Sequence, residues 1–306
     1  MRLGRSWFVP MLRASVVRVA AGGFLALAIS VTLAAQAADR VLYVSVVDEK
    51  TREPILGLGP DAFIVTEDGV RREVLRVTPA TSPMPIAVLV DNTEGATKTI
   101  SDLRKGLATF IRSLTGIGPI ALVSVADRPT ILANYTTDQE KLLDAAGRIF
   151  AVPNSGATLL DAIVEISRGL EKREGDRAAI VLVTTENTEF STLHYRQVLD
   201  GLAKSGAMMS AIVLTSPAGS SLNDEARNRA SVLDLGPRNS GGMRFDVLTS
   251  LAYEGRLQEL AEVLKSQHRV VYARPQTLIP PARIGVDAAK AGQNAHGGPA
   301  RGQPVR

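Results

Sequence analysis

The sequence predicts an α/β fold, a Rossmann-like, mostly parallel sheet sandwiched by helices and preceded by a small β-rich module. Three observations carry that expectation. Four continuous apolar runs rich in Val, Ile and Ala punctuate the middle of the chain, helical periodicity fills the gaps between them, and residues 40–80 break instead into short β-rich stretches. At 306 residues and 45% hydrophobic content there is ample apolar surface for a sizeable core.

The first 37 residues come before any of this. Arg2, Arg5, Arg13 and Arg18 precede an uncharged run over 19–35, and Ala35-Gln36-Ala37 closes it. Basic start, apolar middle and small-residue exit are the pattern of a secretory signal peptide, cut here after Ala37. The uncharged run is at the low end of the roughly 17–25 residues that span a bilayer, so an uncleaved anchor is the competing reading. The segment holds four of the 35 Lys and Arg and none of the 31 Asp and Glu, leaving 31 charges of each sign beyond it. A balanced remainder, with no basic run interleaved with aromatics, argues against nucleic acid and anionic membrane as partners. Membrane association is then expected only if the N-terminal segment stays uncleaved. The chain has no cysteine, so export cannot rely on disulfides and Cys-type zinc sites are excluded.

Residues 38–80 are expected to form the β-module. Glu67-Asp68-Gly69 between AFIVT and VRREVLRV is a hairpin signal, and PATSPMP (79–85) is the joint to the next domain. The α/β domain then covers 81–275. Its strands are IAVLVD (86–91), PIALVSVA (119–126), AAIVLVTT (178–185) and AMMSAIVLT (207–215), runs that suit burial on both faces. Ile100, Leu103, Leu107, Ile111 and Leu114 form one face of a helix closed by Gly116; Leu159, Ile163, Ile166 and Leu170 do the same in the next. Leu199 and Leu202 mark a third, and GRLQELAEVLKSQ (255–267) a fourth, followed by the strand HRVVYAR (268–274). Strand alternating with helix implies right-handed crossovers and a parallel sheet. Residues 276–306, rich in Gly, Pro, Ala and Gln, read as a mostly disordered tail, above all beyond residue 288.

Ligands of open parallel sheets bind beyond the carboxyl ends of the strands. There the sequence places Asp91-Asn92-Thr93-Glu94-Gly95, then Thr184-Thr185-Glu186-Asn187, and Ser155-Gly156-Ala157-Thr158 at the start of the intervening helix. Carboxylates and hydroxyls on one rim are oxygen donors of the kind hard cations accept. Each also has a structural role available. Thr158 with Asp161 resembles a capping box, and Asp91-Asn92 can close an Asx turn.

At these residues the sequence resembles the von Willebrand factor type A domain, and within it an exported acidobacterial subgroup. DAFIVTEDGVRREV, NSGGMRF (239–245) and LKSQHRVVYARP extend the likeness over residues 40–285. The family's metal-ion-dependent adhesion site uses Asp-x-Ser-x-Ser, a loop Thr and a second Asp in a Thr-Asp-Gly turn. Asp91 matches the first position, Thr93 substitutes for the first Ser and Thr158 matches the loop Thr. Gly95 stands in place of the second Ser and Thr185 in place of the second Asp. The resemblance implies a degenerate site: Asp91, Thr93 and Thr158 as metal ligands, with Glu94 and Glu186 as helpers. No cofactor is firmly implied; a weakly held magnesium, manganese or calcium ion is the most these donors support.

The function this implies is an exported, non-enzymatic, adhesion-like module for an unidentified protein partner. A membrane-anchored scaffold is the alternative. A Rossmann-like enzyme ranks below both, and no small-molecule substrate is expected. Neither a Gly-x-Gly-x-x-Gly after a strand nor a Walker loop occurs, and Ser155 lacks the Gly-x-Ser-x-Gly elbow. His194, His268 and His296 show no spacing expected of a base or ligand and are expected at the surface.

Overall fold

A computed structural model describes residues 37–186, 188–215, 223–275 and 279–303. The signal-like segment thus lies outside the described residues except for Ala37. In chain order the elements are β1 (Ala37–Asp48), β2 (Phe63–Glu67), β3 (Val70–Arg72), β4 (Val74–Pro79), β5 (Ile86–Val90), α1 (Ile100–Ser113), β6 (Ile120–Ser124), β7 (Thr130–Thr136), α2 (Gln139–Gly147), α3 (Leu159–Glu171), β8 (Ala179–Thr185), α4 (Tyr195–Ser205), β9 (Met208–Leu214), α5 (Asp224–Ser240), β10 (Arg244–Val247), α6 (Tyr253–Lys265), β11 (His268–Pro275), β12 (Ile284–Ala288) and β13 (Gln293–Pro299).

The four apolar runs become β5, β6, β8 and β9, the centre of a six-stranded sheet of order β10-β9-β8-β5-β6-β7. All neighbours run parallel except β6 and β7. Every residue of β5, β6 and β8 is buried, as strands covered on both faces must be. One core cluster joins the sheet to α1, α2 and α6; a second joins its other face to α3, α4 and α5. The mostly parallel α/β architecture expected from the sequence is therefore present. β7, β10, α2 and α5 are additions to it.

The antiparallel module is larger than residues 38–80. Its hairpin forms as expected: Glu67 pairs with Val70 across Asp68 (φ 48°) and Gly69 (φ 82°), the left-handed pair that a tight two-residue turn needs. The strand HRVVYAR, however, does not join the parallel sheet. As β11 it lies between β1 and β4 in the order β13-β1-β11-β4, and β12 adds to β2 and β3. The disordered tail expected from 276 onward is likewise corrected for residues 279–303, which supply β12 and β13. The glycines there make close packing possible rather than looseness. A Cβ at Gly297 would sit 2.1 Å from the Tyr43 carbonyl oxygen, and one at Gly241 1.8 Å from the Gly297 carbonyl oxygen. Arg301 then ties the end down, donating to the carbonyls of Leu170, Arg173, Gly175 and Ser205 at the carboxyl ends of α3 and α4 and just beyond them. Such anchoring is invisible to composition.

Candidate functional site

The carboxyl ends of β5 and β8 bring Asp91, Thr184 and Thr185 side by side, because the two strands pair in parallel register from Ile86–Ala179 to Val90–Val183. Asp91 is 2% exposed. Its Oδ1 accepts from the Thr93 amide at 3.0 Å and the Thr93 hydroxyl at 2.7 Å, which closes an Asx turn. Its Oδ2 accepts from the Thr184 hydroxyl at 3.1 Å, the Thr185 amide at 3.1 Å and the Thr185 hydroxyl at 3.0 Å. Thr185, where the adhesion motif has its second Asp, is therefore turned into a donor toward the first.

A residue that the sequence analysis does not single out completes the floor. Arg229, in the second turn of α5, is 4% exposed. Its Nη2 lies 3.8 Å from Asp91 Oδ2 and donates to the Thr184 hydroxyl and the Thr185 carbonyl. Its Nε lies 3.7 Å from Glu189 Oε2. Glu189, 3% exposed, follows β8; its Oε1 accepts from the amides of Leu159 and Ser191. Burial pushes the Glu189 carboxyl up, and the Arg229 charge works against that rise. Burial, reinforced by the Asp91 charge, likewise pushes up the phenol of Tyr253 at the start of α6.

The other expected ligands have other employment. Thr158 does not cap α3: its amide and hydroxyl both donate to the Val125 carbonyl. The capping box expected of Thr158 and Asp161 is replaced by a cap from a different loop, in which Glu189 takes the Leu159 amide and the Ser191 hydroxyl takes the Asp161 amide. Glu94 is exposed and its carboxylate accepts from the Asn154 amide. Glu186 is half-buried, with its amide on the Leu214 carbonyl. Asn92 bridges loops, donating to the Phe150 carbonyl and accepting from the Ala126 amide. Asn187 lies outside the described residues.

These residues do not fit a divalent ion in the adhesion-site manner. A carboxylate offers about four lone-pair positions, and Asp91 already receives five donors. The Arg229 guanidinium beside it adds a positive charge that an incoming dication would have to approach in a buried setting, where charges are poorly screened. Among the described residues no three His, Asp or Glu side chains gather as a ligand set.

The histidines divide. His194 is exposed and caps α4, its ring accepting from the Arg196 amide while Gln197 reaches back to the His194 amide. His268 is 3% exposed, edge-on to Phe63 in the antiparallel module, which corrects its expected surface place. His296 is half-buried in β13.

No family model matches the sequence, and no curated protein matches it. Among solved structures the chain is similar to a von Willebrand factor type A protein from Catenulispora acidiphila, at 10% identity and a TM-score of 0.49, over 86% of this chain and 74% of that one. It is also similar to the conserved hypothetical protein BatB from Bacteroides thetaiotaomicron, at 14% identity and 0.47, over 60% of this chain and 100% of that one. A third is the vWF domain of the type V pili tip protein Mfa5 from Porphyromonas gingivalis, at 10% identity and 0.41, over 58% and 95%. These are likenesses of fold, and they include the family that the sequence resembles.

Proposed function

We propose that this chain is an exported, non-enzymatic protein-interaction module of the adhesion type, and that its partner docks on the rim at the carboxyl ends of the parallel strands. The observation that carries the reading is the contrast between floor and rim. The polar side chains of the floor are buried and engaged with one another, whereas the loops above them expose large apolar groups: Phe150 at 65%, Phe190 at 52%, Leu248 at 88% and Leu251 at 76%. The two aromatic side chains are held in place by their neighbours. The Phe190 ring lies on the backbone of Gly156, where a Cβ would be 2.6 Å from it, and the Arg104 guanidinium sits 4.4 Å over the Phe150 ring. Exposed aromatic and aliphatic anchors on a rigid support are what protein interfaces use. Export rests on the N-terminal pattern of residues 1–37, and sequencing the N-terminus of the mature protein separates secretion from the anchored-scaffold alternative.

The absence of native cysteine makes the test direct. Single cysteines at Phe190 and Leu248, and a control at Leu75 on the antiparallel module, carry a photo-crosslinker in the exporting cell. Discrete adducts from 190 and 248 with none from 75 are expected. Equal adducts from all three, or adducts from 75 alone, would overturn the docking surface.

A further inference from the structure

We infer that Arg229 is the resident counter-ion of this rim: its guanidinium supplies, from within the chain, the positive charge that a bound dication would otherwise supply to Asp91. The inference concerns the floor alone. It stands whether or not the rim binds a protein.

Three features of the geometry lead to it. First, the guanidinium reaches Asp91 both directly and through a relay. Nη2 is 3.8 Å from Oδ2, and the same nitrogen donates to the Thr184 hydroxyl, which in turn donates to Oδ2 at 3.1 Å. A hydroxyl that accepts from a cation and donates to an anion is polarised in one direction and held in it. Second, the group is fixed in place by its helix. The Asn223 side chain caps α5 by accepting from the Ala226 amide, and the Asn228 side chain accepts from the Tyr195 amide at the start of α4. Arg229 thus projects from a helix located on both sides of it. Third, the other end of the fork faces Glu189, whose Oε1 accepts from the first amide of α3, that of Leu159. One cation therefore ties together the end of β5, the end of β8, the loop after β8 and, through Glu189, the start of α3. Those are the loops whose relative placement a metal ion would organise. A planar guanidinium with five donors can address several oxygens at once, whereas lysine's point charge cannot.

A consequence is that the rim keeps its shape without any ion, and an acidic partner side chain has no open coordination position to complete.

The test uses the chain from Ala38 to Arg306, with Mn²⁺, Mg²⁺ or Ca²⁺ as the probe. Thermal unfolding by circular dichroism in chelator and in millimolar ion is expected to give one midpoint, and equilibrium dialysis no retained Mn²⁺. A rise in midpoint on adding ion that Asp91→Asn abolishes, or one Mn²⁺ retained per chain, would overturn the inference. Arg229→Gln and Asp91→Asn are compared alone and together. If the two groups neutralise each other, the double variant loses less stability than the two single losses combined. Additive losses would show that Arg229 is not the counter-charge of Asp91 and would sink the proposal. Should Arg229→Gln fail to fold, Arg229→Lys replaces it in the cycle; it keeps the charge and removes the fork, and the coupling is expected to shrink but persist.

Discussion

Two buried carboxylates, one in each half of the molecule, are neutralised by different means. Glu67, at the end of β2 in the antiparallel module, accepts directly from Arg72 Nε and Arg274 Nε, each at 3.0 Å, and from the Tyr272 hydroxyl at 2.8 Å. Asp91, among the described residues, accepts from the Thr93 and Thr185 amides and the Thr93, Thr184 and Thr185 hydroxyls, and the Arg229 guanidinium stands 3.8 Å from it. The first is a knot of charges that staples the β2–β3 hairpin to β11. The second is a carboxylate solvated by backbone and hydroxyl dipoles with a cation at one remove. The difference shows that a buried acid can serve as a strut or as the centre of a loop cluster, and that only the geometry of its partners tells which.

Amide substitutions sharpen the contrast. Glu67→Gln removes the charge between two guanidinium groups, of which Arg274 is 5% exposed in its side chain. Breaking a buried pair in this way is expected to cost roughly 3–5 kcal/mol in urea unfolding, because a cation is left uncompensated. Asp91→Asn is expected to cost less, about 1–3 kcal/mol: Arg229 keeps Glu189 at 3.7 Å, and the loss is that of hydrogen bonds, with the Thr93 or the Thr185 amide left facing the new –NH2. Equal costs would mean that charge matters as much at the rim as in the module, and the distinction would collapse.

A smaller effect comes from Tyr272→Phe. Glu67 keeps both arginines, so the loss is that of one hydrogen bond, about 1 kcal/mol by the same unfolding measurement. A loss as large as that of Glu67→Gln would show the phenol, rather than the guanidinium groups, to be the strut.

Acid provides the smallest and most selective test. Burial holds the His268 ring below the ordinary histidine value of 6.5, and burial together with the Arg52 charge does the same to His296. A depressed histidine contributes stability that is present above 6.5 and is lost as pH falls toward its lowered value. Glu189 acts in the opposite sense: its carboxyl is raised by burial, so its contribution is full below 4.5 and is lost as pH rises through the raised value. The two therefore oppose each other between those limits. His268→Gln is expected to flatten the loss of stability seen on lowering pH from neutrality through 6.5. An unchanged profile would place the acid sensitivity elsewhere than at His268, with His296 of β13 the next depressed histidine to replace.

The parallel domain was largely legible because its signals are local. Unbroken Val, Ile and Ala runs state that both faces are covered, and the spacing of Leu103, Leu107 and Ile111 states one helical face. The chain between 223 and 240 sent no such signal. Its apolar positions are few, Gly236 and Pro237 sit inside the helix, and its most consequential residue is a buried arginine. β7 was missed because an edge strand with one exposed Ile and several polar residues resembles a loop.

At the candidate site the sequence by itself placed Asp91, Thr93, Thr184 and Thr185 at the ends of strands whose identity and parallel pairing follow from hydrophobic pattern, but it did not separate them from Thr158, Glu94 and Glu186, which bond elsewhere. Only the tertiary structure decided what those oxygens face. Arg229 arrives from α5, Glu189 leaves its own loop to cap α3, and Arg301 crosses to α3 and α4 from a stretch whose composition reads as loose. Periodicity reports the face that a residue turns toward the core. Charge pairing depends on which distant element is packed against that face, and no local pattern encodes that.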